Sequence, residues 1–241
     1  MIITSITHWC PNCHSTNIVK NGHTRHGNQR CLCKDCRKTR VLIPRRTKDL
    51  DDLMEKALRE RLSLRGIARI FGVSVQTVLL LLQRLARSLP ALRHSLLPAQ
   101  SDDILELDEL YSFVESKKQK RWLWVALCRR TRQVVAFVIG DRSEASCRKL
   151  FGRIPVGYRG CASYSDFWSS YAKVFQRGRH ESVGKDTGQT AHVERWNCTL
   201  RQRAGRYVRK TLSFSKTDRY HHLATKYFIW HYNLDCLINT F

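Results

Sequence analysis

Two cysteine pairs, Cys10-Pro-Asn-Cys13 and Cys33-Lys-Asp-Cys36, stand nineteen residues apart near the start of the chain. No other feature restricts the fold of its own stretch so tightly. Each pair forms a tight turn that aims two sulfurs at one point. Asn21-Gly22 and Gly27 between them suit a hairpin, and the whole fits a tetrahedral four-thiolate zinc site. So small a unit has little core, so bound Zn2+ is expected to supply much of its folding free energy. Cys31 is out of phase with the second pair. It either fills an apolar strand position or replaces Cys33 as a ligand. Ten cysteines fit metal ligands and core thiols in a reducing compartment. The start, Met1-Ile-Ile-Thr-Ser-Ile, lacks the features of a signal peptide, so an intracellular protein is expected.

The formal net charge is +23, shared between residues 1–100 and 101–241, and the pI is near 10.1. That spread points to a polyanionic partner, first of all nucleic acid. No apolar run approaches the length of a membrane-spanning helix, so no membrane association is expected. With four thiolates completing the metal site, His8, His14, His23 and His26 are expected at the surface or facing DNA.

The segment from Pro44 through Arg45, Arg46 and Thr47 to Lys48 reads as a basic connector. Leu50, Leu53, Met54, Ala57, Leu58 and Leu62 then mark an amphipathic helix. From Ser63 to Leu82 the pattern is helix, turn, helix. Leu64, Ile67, Ala68 and Phe71 form the first apolar face, Gly72 the turn, and Val73 a plug. Ser74 is a fitting N-cap. Val75, Val78, Leu79 and Leu82 are expected to face inward. Gln76, Thr77 and Leu80 are left to face a major groove, with Arg65 as a further DNA contact. Residues 89–103, from Leu89-Pro onward, read as a linker.

Beyond Ile104 the pattern turns strand-rich. Ile104–Phe113, Trp122–Cys128 and Val134–Gly140 read as three strands in antiparallel hairpins, with polar connections at Glu115–Arg121 and Arg129–Gln133. A helix is expected over Ser143–Arg153, a short fourth strand over Gly160–Ser165, and a helix over Phe167–Phe175. Gln176–Gln189 reads as a loop with a short strand, and Tyr220–Leu237 as a last packed helix. Between them Val193, Trp196, Leu200 and Tyr207 recur at helical spacing, with Glu194 beside the stripe. Arg201, seven residues on, lies about 10 Å along nearly the same face. This is the order of an RNase H-like mixed sheet with flanking helices. There the first strand and the end of the fourth are neighbours, which would bring Asp108, Asp166 and Glu194 together. Three carboxylates on a rigid frame could hold two Mg2+ or Mn2+ ions for in-line displacement at a phosphodiester. The blander readings are an edge-strand surface for Asp108, a helix N-cap for Asp166 and a solvated helix face for Glu194. Glu106 shares a strand face with Asp108 and is a rival or auxiliary ligand. Asp102, Asp103 and Asp141 look like boundary or turn residues.

Taken together, these motifs resemble the transposases of the insertion-sequence-one family, a branch of the DDE transposases. The resemblance runs through Cys-Pro-x-Cys…Cys-Lys-Asp-Cys, the Gly-Val-Ser helix-turn-helix, Leu-Asp-Glu-Leu, Tyr-Ser-Asp, His-x-Glu-Arg…Thr-Leu-Arg-Gln-Arg and Val208-Arg-Lys-Thr-Leu-Ser-Phe-Ser-Lys. It implies four segments: a zinc ribbon (1–44), an all-α helix-turn-helix domain (45–88), a linker (89–103) and an α/β RNase H-like DDE domain (104–241). Asp108, Asp166 and Glu194 then match the triad, and Arg201 the basic residue that follows the Glu. Arg195, Arg203, Arg209 and Lys210 are expected to hold DNA phosphates. The implied activity is binding of terminal inverted repeats, metal-dependent 3′-end cleavage and strand transfer into target duplex DNA. It also implies a bacterial, nucleoid-associated location in the cytoplasm and a homo-oligomer on DNA. Two rivals remain at this point: a DNA-binding repressor whose C-terminal half is inactive, and a plain RNase H-like nuclease.

Overall fold

The computed structural model describes residues 7–25, 27–41, 47–175 and 179–238. The expectations for His26, for 44–46 of the basic connector and for 176–178 of the loop lie outside the described residues. The chain divides into two compact units, Met1–Leu53 and Met54–Phe241.

The first unit is built on a three-stranded antiparallel sheet, β1 (Ile18–His23), β2 (Gln29–Cys33) and β3 (Thr39–Val41), in that order. The β1–β2 turn uses Gly27 at φ +77°, which an L side chain adopts only with strain. Helix α1 (Lys48–Ala57) crosses into the second unit. It is shorter than the apolar stripe predicts, for the chain leaves the helix after Ala57 in turns at Arg59 and Glu60.

In the second unit α2 (Leu64–Ile70) and α3 (Val75–Ser88) form the expected helical hairpin. Ser63 and Ser74 cap them through their side chains, and Gly72 turns between them at φ +62°. The apolar stripe differs in detail. Val78, Leu81, Leu82 and Ala86 are buried, whereas Val75 is exposed. The difference arises from α8 (Asp218–Ile238), which packs on α3: Tyr227 and Tyr220 of α8 join Leu82 and Ala86.

Residues 89–103, read as a linker, are exposed at many positions but anchored to the second unit at several points. Ser95 is buried in a 3-10 turn over Leu92–Ser95, and Leu96 and Ala99 pack on the main core. The Gln133 amide donates to Ser95 O at 2.8 Å and accepts from Leu97 N at 2.8 Å, while Tyr158 Oη donates to Leu97 O at 2.8 Å. Asp103 is likewise buried, paired to Arg130 at 2.6 Å. A linker signature of Pro, Ser and Asp cannot report such partners, which lie far along the chain.

The central sheet has the order β6-β5-β4-β7-β8, from β4 (Ile104–Val114), β5 (Ser116–Cys128), β6 (Val134–Gly140), β7 (Ala162–Ser165) and β8 (His180–Ser182). The first three pair antiparallel, and β4–β7 and β7–β8 are parallel. Residues 115–121, expected as a loop, belong almost wholly to β5. The turn is confined to Glu115 at φ +64°, and Lys120 and Arg121 pair with Phe113 and Ser112. Strand alternation gives the sheet two buried faces. Leu105, Leu107, Trp124 and Ala126 pack under α4 (Glu144–Arg153), the short α5 (Val156–Arg159) and α6 (Ser169–Val174). Leu110, Leu123, Val125 and Leu127 pack under α7 (Ala191–Arg203) and α8. Helix α7 ends at Arg203, and Tyr207 reaches the same core from a separate 3-10 turn, Gly205–Tyr207. This mixed sheet with helices on both faces is consistent with an RNase H-like domain.

Candidate active site

Each site element is placed by a local rule. The β4–β7 register pairs Ile104 with Ala162 and Glu106 with Tyr164; continued by two residues, it sets Asp108 opposite Asp166, at the end of β7. Asp108, Glu109 and Asp166 each bring a carboxylate oxygen within 4.8 Å of the others. Glu194 lies outside that set, one turn into α7, where Thr190 Oγ1 donates to it at 3.1 Å. Its charge still acts on Asp108. Burial pushes the Asp108 carboxyl up to about 7, and Glu109, Asp166 and Glu194 add repulsion in the same direction.

Asp108 Oδ2 accepts the Asn197 side-chain amide at 2.6 Å, and Oδ1 accepts the Glu109 backbone N–H at 2.8 Å. Asn197 lies three residues after Glu194 and four before Arg201, so the three share a helix face. Among the described residues the Asn197 Oδ1 and the Arg201 Nε are buried and find no hydrogen-bond partner. Burial and the neighbouring Arg209 pull the Arg201 pKa below its usual value, although Asp108 opposes them. A partly buried guanidinium with an unused Nε donor suits an anion such as a phosphate oxygen.

Glu106 sits on the same strand face but has another task. It is fully buried and accepts from Arg129 Nε at 2.7 Å, His192 N at 2.9 Å and Val193 N at 3.0 Å, and pairs with His192 Nδ1 at 2.7 Å. Both of its oxygens are engaged, so it caps α7 rather than joining the carboxylate cluster. Glu109 is held by Arg142 Nε at 2.9 Å and Tyr171 Oη at 2.8 Å. The Arg142 guanidinium lies 3.9 Å from the Trp168 ring centre and 4.6 Å from that of Trp122. Trp168 N donates to Asp166 Oδ1 at 3.0 Å. A connected set of contacts thus fixes the β7–α6 turn against β4.

Glu109, Asn197 and Arg142 are absent from the sequence reading. The helical spacing of Asn197 between Glu194 and Arg201 was the available signal. Strand alternation sends Glu109 to the opposite face from Asp108, which hid it. Of the expected DNA contacts, Arg65, Gln76, Arg195, Arg209 and Lys210 are exposed. Thr77 is half-buried, with its hydroxyl 2.9 Å from Ser74 Oγ in the cap of α3. The Arg203 guanidinium is partly exposed and pairs with Glu60 at 3.2 Å and Asp235 at 3.4 Å, over Phe228.

In the first unit Cys10, Cys13, Cys33 and Cys36 bring their sulfurs within 4.8 Å of one another. The Cys10–Cys36 and Cys13–Cys33 Sγ distances are both 3.6 Å. This is far beyond a disulfide and close to the ~3.8 Å edge of a tetrahedron of thiolates around zinc. The Asn12 backbone N–H, then that of Cys13, draws the Cys10 thiol down to about 6, while, against the Ser15 backbone N–H, burial and the neighbouring thiols push that of Cys13 up, as expected of crowded thiols sharing protons without a cation. Cys31 lies in β2 opposite Arg40 and outside the cluster, the strand-filling alternative. The carboxylate cluster also passes a test of fit. Hard oxygens crowded against their own repulsion, beside a buried amide oxygen with no donor, suit Mg2+ or Mn2+.

Residues 104–233 match the family model described as IS1 transposase, and residues 3–37 match the one described as InsA N-terminal domain, a zinc ribbon. The chain belongs to the IS1 transposase family. Among its relatives, the insertion element iso-IS1n protein InsB of Shigella dysenteriae is 39% identical over 118 residues, covering 49% of this chain and 87% of the relative. The insertion element IS1 protein InsB of Shigella flexneri is 34% identical over 116 residues, 48% of this chain and 86% of its own. The insertion element IS1 4 protein InsB of Escherichia coli (strain K12) is 34% identical over 116 residues, 48% and 67% respectively. A cryoEM structure of the simian T-cell lymphotropic virus intasome with PP2A regulatory subunit B56 gamma aligns over 63% of this chain and 58% of that one, at a TM-score of 0.33 and 15% identity. The protein is thus a DNA transposase with an N-terminal zinc ribbon. The repressor and plain-nuclease readings are not favoured. Among the described residues of the transposase no single helix is long and apolar enough to cross a membrane.

Proposed function

We propose that the chain binds the terminal inverted repeats of an insertion sequence, cleaves the 3′ ends and joins them to target DNA. In this reading Asp108, Asp166 and Glu194 hold two Mg2+ or Mn2+ ions. Such ions supply an activated attacking oxygen and a stabilised leaving oxygen at a phosphodiester. Asn197 holds Asp108 in place from α7. Arg201, with Arg195, Arg209 and Lys210 at the surface, neutralises phosphates. The observation that carries the reading is the meeting of Asp108 and Asp166, from elements far apart in sequence, with the Glu194 charge bearing on the same carboxyl. Glu109 is nearer to that pair than Glu194. Its engagement by Arg142 and Tyr171 favours a supporting role for it.

The four clustered thiolates would hold structural Zn2+ in the 1–44 ribbon. With α2 and α3 of the 45–88 domain, they would grip the element's ends, Gln76, Thr77 and Arg65 being placed for a groove or its rim. The catalytic domain would span 104–241. Bringing two ends together requires at least two chains on DNA, and the site of action would be the nucleoid in the cytoplasm, with no part for a membrane.

The test is to change Asp108, Asp166 and Glu194 singly to Ala and assay cleavage and strand transfer with Mg2+. Each variant should lose at least about 1,000-fold in rate, ~4 kcal/mol in the barrier, while still binding the ends. Retained activity in all three would refute the triad.

A further inference from the structure

Phe167 follows Asp166 directly and is 73% exposed. It is the only exposed Phe, Tyr or Trp among the described residues of the second unit. A single exposed apolar residue is commonplace on protein surfaces. This one differs in how it is held. On one side Ser165 is buried, its hydroxyl donating to Asp166 O at 2.8 Å and lying 3.2 Å from His180 Nε2. On the other, Trp168 N donates to Asp166 Oδ1, and the Trp168 ring lies under the Arg142 guanidinium. The backbone that presents Phe167 is therefore fixed both before and after it. The ring also faces the turn leading into α7: a Cβ built on Gly184 would lie 3.9 Å from Phe167 Cε2. Next along that turn Lys185 and Asp186 are exposed, one of each charge. Phe167 thus stands between the strand end that carries Asp166 and the segment that enters the helix of Glu194.

We infer that Phe167 is a stacking platform for an unpaired nucleobase beside the phosphodiester that the site attacks. The inference rests on the reading of the carboxylates given under Proposed function. Asp108 and Asp166 are only partly exposed where β7 ends beside β4, and a phosphate reaches them more readily once the strand end leaves the regular duplex. Opening the junction uncovers a base face to water. An aromatic ring on the lip, already rigid, covers that face without reading its sequence. An aliphatic side chain at this place would cover it poorly, and a polar one not at all.

The full chain is tested with an oligonucleotide duplex of the element's own end, carrying 2-aminopurine at the base that flanks the cleaved phosphate. Phe167→Leu keeps apolar bulk without the ring, and Phe167→Trp keeps a ring. Because the side chain is exposed, both should melt like the parent protein. Phe167→Leu should cleave the fully paired end about tenfold more slowly, within the range that loss of one base–aromatic stack produces. Phe167→Trp should keep the parent rate. Quenching of 2-aminopurine on binding should vanish with Leu and persist with Trp. Mismatches that open the junction beforehand should return Phe167→Leu to within about twofold of the parent rate. Parent-like cleavage of paired ends by Phe167→Leu, or a deficit that mismatches leave unchanged, would overturn the inference. Failure of the triad itself shows separately, as activity in the Asp108, Asp166 and Glu194 variants.

Discussion

Removing the Glu106 carboxylate should loosen the N-terminal end of α7 from β4. The residue that begins this helix, Thr190, makes no side-chain capping bond of its own. Glu106 caps from another element, accepting the His192 and Val193 backbone N–H groups while pairing with Arg129. Arg129 in turn donates to Gln189 O at 2.7 Å and to its Oε1 at 2.8 Å. Glu106→Ala strands two helix N–H donors, at about 1–3 kcal/mol for each one buried. It also leaves Arg129 without its carboxylate, a loss of about 3–5 kcal/mol in a fully buried pair. The Arg129 side chain is 24% exposed, so water softens that second figure. The contributions overlap, and about 3–5 kcal/mol in all is expected. For a unit of this size that is a fall in Tm of about 6–20 °C. Glu106→Gln keeps one acceptor and should lose roughly half as much. Calorimetry of the zinc-loaded protein without added Mg2+ measures both. A Tm for Glu106→Ala within about 2 °C of the parent would refute the capping argument. Normal stability combined with lost Mn2+ binding would restore Glu106 as a metal ligand.

Three other perturbations address the rest of the site. Asp108 binds its proton more tightly folded, at about 7, than its ordinary value of 3.8. Its contribution to stability therefore grows as pH falls from about 7 toward about 4 and is lost above 7; Asp108→Asn should raise Tm more at pH 8 than at pH 5, as read by melting without added Mg2+, and an equal shift at both would refute the linkage. Cys10→Ser should lower bound zinc well below one ion per chain by elemental analysis, whereas Cys31→Ser should leave it unchanged. Arg142→Lys retains charge but loses the fork on Glu109 and the stack between Trp122 and Trp168, so it should cost about 2 kcal/mol in urea unfolding and slow cleavage as Asp166 loosens.

Much of this arrangement could be read from the residues, and the remainder could not for identifiable reasons. The thiol spacing, the Ser63 and Ser74 caps and the strand periods of β4 and β6 depend on short stretches, where local rules act. The inward residues of α3 depend on α8, which arrives more than a hundred residues later, so Leu81 was missed and Val75 misplaced. The segment 89–103 looked free because its partners Gln133, Tyr158 and Arg130 are distant in sequence. Asp108 and Asp166 could be placed together because strand order alone sets them side by side. Arg203 is charged and stands in a basic run, but only the fold reveals that Glu60 and Asp235 already hold it.

The acids in and beside strand β4 differ in the cations that match them. Asp103, just ahead of the strand, is matched by Arg130, Glu106 by Arg129 and Glu109 by Arg142. Each of these arginines lies on a segment that the carboxylate fixes in place. Asp108, among them and partly buried, makes no ion pair among the described residues and has only an amide and a neighbouring backbone N–H. Burying a carboxylate without a cation is unfavourable unless something outside the chain offsets it. The three paired acids build the frame, and the unpaired one faces Asp166 at a place where added positive charge would relieve the repulsion. On that argument divalent metal should stabilise the parent protein and do much less for Asp108→Asn. A metal-induced rise in Tm of equal size in both would show that the missing charge is supplied elsewhere.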